Sequence, residues 1–157
     1  DYSKNLERLA RKFETARKHV PKPVVEDVTG AEIGVIGFGS SHFAIAESRD
    51  QLESEAGLKT GYLRLRAYPF TDELTAFIDR YSRIYIVEQN RDAQMLSLLR
   101  LELSAERIAK LRSVLHFSGL PIDARSVTDD ILGQEGIKPV GSPHHEIMAA
   151  GVAGRGE

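Results

Sequence analysis

A chain of 157 residues, 41% hydrophobic and 28% charged, has the composition of one ordinary soluble globular domain. A formal net charge of −2 and the lack of any apolar run near the ~18 residues of a membrane span argue against nucleic-acid binding and against a transmembrane protein. No cysteine occurs, which excludes disulfides, thiolate zinc sites and cysteine-held iron–sulfur clusters on this polypeptide, and no signal-peptide pattern is seen, so we expect a cytoplasmic protein.

Residues 1–20 are predicted to form a basic N-terminal helix. Leu6, Leu9, Ala10 and Phe13 recur at helical spacing and make a narrow apolar stripe. Through residue 22 the segment carries seven basic and three acidic residues, a net charge of +4. Such a bias is typical of a solvated face or of contact with an acidic partner surface. The sequence starts at Asp1, without a methionine, and enters this helix at once. We therefore expect a piece cut from a larger protein; a processed chain is the simpler alternative.

The element around which the chain is organised follows a linker predicted for residues 21–30, where prolines break the first helix. From residue 33 the sequence reads Ile-Gly-Val-Ile-Gly-Phe-Gly-Ser-Ser, which predicts a buried strand turning directly into a helix N-terminus. Gly37 and Gly39 permit a tight turn, Ser40 or Ser41 is expected to cap the helix, and Gly57 to end it. A parallel α/β unit begins in this way.

The turn before this helix has two interpretations. A helix N-terminus beside glycines can hold an anion, since its unpaired N–H groups and its dipole favour negative charge. The dinucleotide fingerprint, however, requires a third glycine where His42 stands and an acidic residue where the next strand has Arg64 and Arg66. We favour a strand-to-helix turn that needs small residues, and we keep a stand-alone nucleotide-binding module using the Gly37–Ser41 turn as the alternative.

The following strand, residues 60–66, has arginines on one face. Leu63 and Leu65 alternate there with Tyr62, Arg64 and Arg66. A central parallel strand is covered on both faces, so this pattern indicates an edge strand with solvated arginines or a face against a partner.

The second half of the chain is predicted to continue the alternation of helices and strands. A leucine-rich helix with little polar surface would be buried on more than one side, which raises the possibility of a homodimer interface over residues 95–103. Residues 135–157 are rich in glycine and proline and are predicted to be a disordered tail. The predicted elements are a helix capped by Thr71, a central strand at 82–87, the leucine-rich helix at 92–103, a helix from Ser104 to 111, a strand at 114–117 and a helix from Thr128 to Gly133.

Polar side chains at the carboxyl ends of the predicted strands form the candidate site. Carboxyl ends of parallel strands meet at one edge of a sheet, where ligands of α/β proteins are found. A purely structural role is equally open for part of the set, with Asn90 or Asp92 capping the next helix and Glu88 paired with an arginine. We assign no catalytic residue, because no Gly-x-Ser-x-Gly, P-loop or His-Glu-x-x-His motif occurs. We assign no metal ligand, because the adjacent histidines at 144 and 145 lie in the glycine-rich tail, where a closed metal site rarely forms. The candidates are Ser40, Ser41, His42, Arg64, Arg66, Glu88, Asn90 and Arg91.

Three separated motifs carry a family resemblance. They are Gly37–Ser41, then Tyr-Leu-Arg-Leu-Arg-Ala-Tyr-Pro-Phe at residues 62–70, then Val-Glu-Gln-Asn-Arg-Asp at residues 87–92. In this order and spacing they resemble the C-terminal part of the alpha subunit of 2-oxoacid:ferredoxin oxidoreductases, closest to the 2-oxoglutarate type, over roughly residues 1–132. The resemblance implies an α/β domain at residues 31–134, similar to the transketolase C-terminal domain, with three layers and a mostly parallel sheet of about five strands.

The resemblance also implies what the assembled enzyme does. Such enzymes use thiamine diphosphate, Mg and an iron–sulfur cluster to convert 2-oxoglutarate or a related 2-oxoacid into an acyl-coenzyme A while reducing ferredoxin. This chain has no Gly-Asp-Gly diphosphate motif and no cysteine, so we expect it to carry none of these cofactors and to be inactive alone. Its implied partners are the beta subunit and the preceding alpha-subunit domains, with coenzyme A and ferredoxin for the assembled enzyme. Its implied role is in subunit assembly and at the substrate entrance.

Overall fold

A computed structural model describes residues 1–138. Most of the predicted tail, from residue 139 onward and with both of its histidines, His144 and His145, lies outside the described residues. Within residues 1–138 the elements are α1 (Tyr2–Arg17), β1 (Val24–Glu26), β2 (Ile33–Phe38), α2 (Ser41–Ala56), β3 (Thr60–Leu65), α3 (Asp72–Arg80), β4 (Arg83–Glu88), α4 (Gln94–Arg100), α5 (Ala105–Ala109), β5 (Leu111–Leu115) and α6 (Ala124–Gln134).

The strands form one five-stranded sheet in the order β1-β3-β2-β4-β5. Strands β2 to β5 run parallel, and β1 alone pairs antiparallel, against β3. The predicted mostly parallel sheet is therefore confirmed. The glycine-bounded run at residues 33–38 is its central strand, as its uninterrupted burial requires.

Side chains alternate between the two faces of the sheet and build two cores, which makes the domain three-layered. On one face Ile36, Leu63 and Ile86 pack under α3 and α4, with Leu74, Phe77 and Leu96. On the other face Val35, Tyr62 and Val87 pack under α2 and α6, with Ile45, Leu52 and Ile131. The same alternation decides, at the strand ends, which side chains turn toward which helices.

The strand at residues 60–66 is not at the sheet edge, so the edge-strand alternative was wrong. Inside the segment predicted as a linker, Val24–Glu26 forms β1 and covers β3, with Val24 opposite Arg64 and Glu26 opposite Tyr62. A strand of three residues between prolines and charged residues has no periodicity to reveal it. Arg64 is consequently half-buried.

Element boundaries in the second half also differ from prediction. The leucine-rich helix predicted at 92–103 is shorter, as α4 (Gln94–Arg100), and the helix predicted from Ser104 is the short α5 with Ser104 at its N-cap. Strand β5 starts three residues earlier than predicted. The last helix begins at Ala124, because Asp123 caps it by accepting from the Ser126 N–H at 2.8 Å. Thr128, the predicted start, is buried inside the helix. The predicted serine and threonine caps of α2 and α3 stand at Ser40 and Thr71 without a side-chain cap bond.

The predicted interface over residues 95–103 is mostly used within the chain. Leu96 and Leu99 are buried, and Met95, Leu98 and Leu103 pack partly against the same core. Leu101 alone of the large apolar residues of that run is strongly exposed, at 81%. None of the helices in residues 1–138 is both long and apolar enough to cross a membrane.

Candidate functional site

The parallel register brings the carboxyl ends of β2, β3 and β4 side by side. Phe38 lies opposite Leu65, and Ile36 opposite Ile86, so the residues that follow each strand share one edge of the sheet. We call this edge, with the eight candidate residues and Gln89, the carboxyl rim. Ligands of parallel α/β sheets bind in this position, beyond the carboxyl ends of the strands.

The β2–α2 turn is built on two glycines with different requirements. Gly37 is buried, and a Cβ there would overlap the Cδ1 of Ile45 from α2, so a larger residue would require the Ile45 side chain to shift. Gly39 has a left-handed backbone with φ of 58°, which glycine adopts without strain. The turn delivers Ser40 and Ser41 to the rim at the start of α2.

Gln89 joins β4 to this turn, and the sequence interpretation missed it. Its Nε2 donates to the hydroxyl oxygens of Ser40 and Ser41, at 3.1 Å each. The alternation of side chains along β4 could have revealed it. Tyr85 and Val87 face α2, so residue 89 lies on the same side of the strand and residue 88 on the other. The hydroxyl of Ser40 is exposed and can still donate its hydrogen at the rim, whereas Ser41 is only 2% exposed.

His42 is fixed against a buried tyrosine. Its Nδ1 lies 3.1 Å from the hydroxyl of Tyr62, and the two rings stack with centroids 5.7 Å apart and an interplanar angle of 16°. Tyr62 is only 1% exposed, and the Arg49 guanidinium lies over its ring at 5.4 Å. When the Tyr62 hydroxyl donates to Nδ1, the neutral imidazole carries its proton on Nε2, so His42 offers an N–H at the rim.

Burial raises the pKa of Tyr62 to about 12, since the phenolate is poorly solvated there. In the unfolded protein the pKa of this phenol is about 10, so between pH 10 and 12 the unfolded state loses the proton while the folded state keeps it. The free energy of unfolding should therefore fall as the pH rises from 10 toward 12. We expect the wild type to lose stability over that range relative to Tyr62→Phe, as measured by urea denaturation at several pH values. Tyr2→Phe, at a phenol 78% exposed, is the control and should leave the pH dependence unchanged. Parallel curves for wild type and Tyr62→Phe would contradict this expectation.

The three predicted arginines occupy different situations. Arg64 donates to the carbonyl oxygen of Gly39 at 3.4 Å and so supports the turn. Arg91 pairs with its neighbour Asp92 at 2.8 Å, and this hydrogen bond raises the pKa of Arg91. Arg66 is exposed, and no ion pair or hydrogen bond holds it among residues 1–138. Arg66 is therefore the rim cation with most freedom to bind an anion.

Glu88 and Asn90 hold the β4–α4 loop together instead of facing a ligand. Glu88 is fully buried, and its carboxylate accepts from the backbone N–H groups of Met95 and Leu96 and from the Asn90 amide. The expected pairing of Glu88 with an arginine was wrong, because the carboxylate is satisfied by the N-terminus of α4. The Asn90 side-chain oxygen accepts from the N–H of Gln94 at 3.3 Å, but the N-cap residue of α4 is Ala93 and not the predicted Asn90 or Asp92.

The residues present do not fit the iron–sulfur cluster that the family resemblance implies. The full chain has no cysteine to hold an iron–sulfur cluster. In the described part of the chain, no group of three histidine, aspartate or glutamate side chains is placed to hold a metal ion. We therefore place no iron–sulfur chemistry on this polypeptide.

No protein-family model and no curated protein matches this chain, whereas several solved structures are similar to it. The 2-oxoglutarate:ferredoxin oxidoreductase from Magnetococcus marinus, with 2-oxoglutarate, coenzyme A and succinyl-CoA bound, is 22% identical with a TM-score of 0.66, over 77% of this chain and 21% of that one. A split-gene transketolase, an inactive beta4 tetramer, is 14% identical with a TM-score of 0.56, over 75% of this chain and 42% of that one. The alpha chain of a probable 2-oxoacid ferredoxin oxidoreductase from Thermoplasma acidophilum is 19% identical with a TM-score of 0.47, over 73% and 97%.

At these identities the comparisons establish the fold. The chain is a three-layer α/β domain like the C-terminal domain of transketolase, with a five-stranded, mostly parallel sheet. It spans about a fifth of the length of the Magnetococcus enzyme, so the activity of a whole enzyme is not carried over with the fold.

Proposed function

We propose that this chain is a domain of the alpha subunit of a thiamine-diphosphate-dependent 2-oxoacid:ferredoxin oxidoreductase acting on 2-oxoglutarate or a related 2-oxoacid. In that role it carries no catalytic residue and is inactive alone. It supports assembly with the beta subunit and the preceding alpha-subunit domains, and it contributes to the substrate entrance. Thiamine diphosphate, Mg, the iron–sulfur cluster, coenzyme A and ferredoxin belong to the assembled enzyme.

The observation that carries the proposal is the convergence of the three resembling motifs on one rim. Gln89, from the third motif, bonds to Ser40 and Ser41 of the first, and Arg64 of the second bonds to the Gly39 carbonyl of the first. Motifs that are far apart in sequence and meet at one edge of a fold mark a functional surface better than any one of them. The likeness in fold to the Magnetococcus enzyme supports the same assignment.

The rim is better suited to contact with a protein or an anionic group than to chemistry. Arg66 and Arg91 present exposed guanidinium groups, which bind carboxylate or phosphate as bidentate donors. Phe43, next to His42, is 76% exposed, which adds apolar area to the same edge. The hydroxyl held beside His42 at this rim belongs to Tyr62, which is 1% exposed and so is out of reach of a substrate as a nucleophile.

A pull-down against the thiamine-diphosphate-binding beta subunit from the same source tests the assembly role. We expect the chain to be captured and the triple Arg64→Ala, Arg66→Ala, Arg91→Ala variant to lose capture, if the rim lies at the subunit interface. Lys59→Ala, an exposed cation at the opposite end of β3, is the control and should bind as the wild type does. Failure of the wild type to bind would remove the assembly role.

The entrance role predicts a kinetic effect of Arg66. In the assembled enzyme, Arg66→Ala should raise the KM for coenzyme A or for the 2-oxoacid about 10-fold or more with little change in kcat, because a hydrogen bond to a charged group contributes about 1.5–3 kcal/mol. Lys59→Ala should leave both constants unchanged. Steady-state kinetics with each substrate varied in turn decide the matter, and unaltered KM values in Arg66→Ala would discard the role.

A second candidate, a stand-alone nucleotide-binding module, is favoured by one observation. The first turn of α2 has no side-chain cap, so its N–H groups at the Gly37–Ser41 turn are open to an anion. Thermal shift with NAD, NADP, ATP and coenzyme A separates it from the first proposal, since a ligand at 100 times its dissociation constant stabilises by ~2.7 kcal/mol. No shift with any of the four would eliminate the module.

A further inference from the structure

Helix α1 is joined by a single polar side chain to the body of the domain, residues 24–138. No residue of this helix is buried, and none belongs to either core of the sheet. Within residues 1–138, every hydrogen bond and ion pair between α1 and the body is made by Arg17, the last residue of the helix. Other polar contacts of α1 stay within the helix, as in the ion pair of Glu7 with Arg11. Arg17 is therefore the residue that can fix where the helix lies.

The Arg17 guanidinium contacts two acceptors of the body at once. It donates to the backbone carbonyl of Phe70 and pairs with the carboxylate of Glu102 at 3.4 Å. The side chains of Arg17 and Glu102 are 30% and 23% exposed, so water screens this pair only in part. Glu102 also raises the pKa of the Tyr68 hydroxyl, chiefly through a side-chain hydrogen bond. One carboxylate thus joins α1 to the loop that contains Tyr68 and Phe70.

The Arg17 contact lies at the carboxyl rim. Phe70 is in the loop of residues 66–71, which connects the carboxyl end of β3 to α3. Arg66, the rim cation without an ion pair in the described chain, is the first residue of that loop. Lys22 pairs with Glu73 in the first turn of α3 at 2.6 Å, so the chain is attached to the body again just before β1. The end of α1 and the segment after it therefore border the rim beside β3.

The segment between these two attachments is short and irregular. Residues 18–21 form neither a helix nor a strand, and most of them are exposed. Pro21 and Pro23 prevent the helix from continuing into β1. Hinges in proteins are a few positions at the ends of elements that absorb a change in backbone angles. An element without buried side chains, held at one point, also opens at a low free energy.

We propose that α1 is a hinged arm, with residues 18–21 as the hinge, and that the bonds of Arg17 to the Phe70 carbonyl and to Glu102 hold the arm against the carboxyl rim. While these bonds are made, the end of the arm lies beside the loop that carries Arg66. When they break, α1 turns about the hinge as an intact helix, and the 66–71 loop loses its contact with Arg17. The motion is a property of this chain and does not depend on the function proposed above.

The distance between α1 and the body of the full chain tests the arm. The sequence has no cysteine, so spin labels can be attached through Arg8→Cys on α1 and Glu53→Cys on α2, both at exposed positions. We expect electron–electron double resonance to show one main distance. In Arg17→Ala the population outside that distance should rise about tenfold or more, as expected when hydrogen bonds to a charged group are lost. Arg17→Lys keeps the charge without the paired donors and should give an intermediate result.

Arg11→Ala is the matched control. It also removes an arginine from α1, but one that pairs only with Glu7 of the same helix, so the distance distribution should stay as in the wild type. Alanine is at least as good a helix former as arginine, so neither variant should lose helical signal in circular dichroism.

Three results would overturn the proposal. An unchanged distribution in Arg17→Ala would show that other contacts hold α1 in place. A distribution that is already broad in the wild type, and equally broad in Arg17→Ala, would show that Arg17 does not hold the arm. A loss of helical signal in Arg17→Ala, with Arg11→Ala unaffected, would show that α1 unfolds on release instead of turning as a helix.

Discussion

Replacing Glu88 by alanine is expected to lower the free energy of unfolding by about 3–4 kcal/mol. The change removes a fully buried carboxylate and leaves the N–H groups of Met95 and Leu96 without their acceptor. Hydrogen bonds to charged groups contribute about 1.5–3 kcal/mol, and a buried donor left unpaired costs about 1–3 kcal/mol, with incomplete additivity between the two. A buried charge that is satisfied by a helix terminus stabilises the structure only while both sides of the contact are present.

Urea denaturation and thermal melting measure this effect. At about 2–4 °C for each kcal/mol, the melting temperature should fall by roughly 10 °C. Glu88→Gln keeps one acceptor oxygen and should show an intermediate loss. Glu53→Ala, at an exposed position of α2, should change stability by less than about 0.5 kcal/mol. Equal stability of Glu88→Ala and Glu53→Ala would mean that the carboxylate does not hold α4.

Replacing Gly61 by alanine is expected to destabilise the domain by about 2–3 kcal/mol. The phenol of Tyr81 crosses over Gly61 on its way to the β1–β2 segment, where its hydroxyl bonds to the Asp27 carboxylate at 3.2 Å and to the Val28 N–H at 3.4 Å. A Cβ on residue 61 would overlap the Tyr81 ring and hydroxyl. Overpacking a tight core typically costs about 1–3 kcal/mol, and here the displaced ring also gives up its two hydrogen bonds.

A second glycine provides the matched control for this experiment. Gly133 lies inside α6, and a Cβ added to it would meet no atom within 4 Å, so Gly133→Ala should stabilise the domain by up to about 1 kcal/mol. The two substitutions are chemically identical and should shift the urea midpoint in opposite directions. A smaller residue at 81, as in Gly61→Ala combined with Tyr81→Leu, should recover part of the loss. No recovery in the double variant would show that the steric conflict with Tyr81 is not the cause.

The central features of the fold could be predicted because they depend on strong local signals. The run Ile33–Phe38 is long and apolar, and it is buried up to Gly37. Gly57 ends α2, as predicted, and does so in a left-handed conformation. The β4 run is equally continuous, so its place beside β2 in the middle of the sheet follows from composition.

Other features depend on contacts that sequence periodicity does not encode. β1 has three residues and exists because β3 offers it an edge, so β3 itself was misassigned to that edge. Thr128 with two following aspartates has the pattern of a helix start, yet its hydroxyl lies 2.9 Å from the Ala124 carbonyl within the helix. A threonine that bonds back to the preceding turn has the same local sequence as one that caps a helix.

The arrangement of side chains at the carboxyl rim could be predicted only in part. The end of β4 was recognised, but Glu88 turns toward α4 and Gln89 toward the serines, which follows from strand alternation carried two residues beyond the last apolar side chain. Arg66 lies at the rim as predicted, and its role there stays a prediction. From the sequence, Tyr62 was recognised only as part of the alternating pattern of β3. Its contact with His42 depends on how α2 packs on the sheet, which the local sequence does not show.

The two outer strands have a consequence for how the protein behaves when it is concentrated. An open sheet invites further strands onto its edges and so into fibres. Here β1 offers only three residues, and on β5 the carbonyl oxygens of Leu111 and Ser113 accept side-chain hydrogen bonds from Arg112 and Gln134 at 2.9 and 2.8 Å. One edge is very short, and the other has two of its outward-facing carbonyl oxygens occupied. Both features limit the addition of further strands to this sheet.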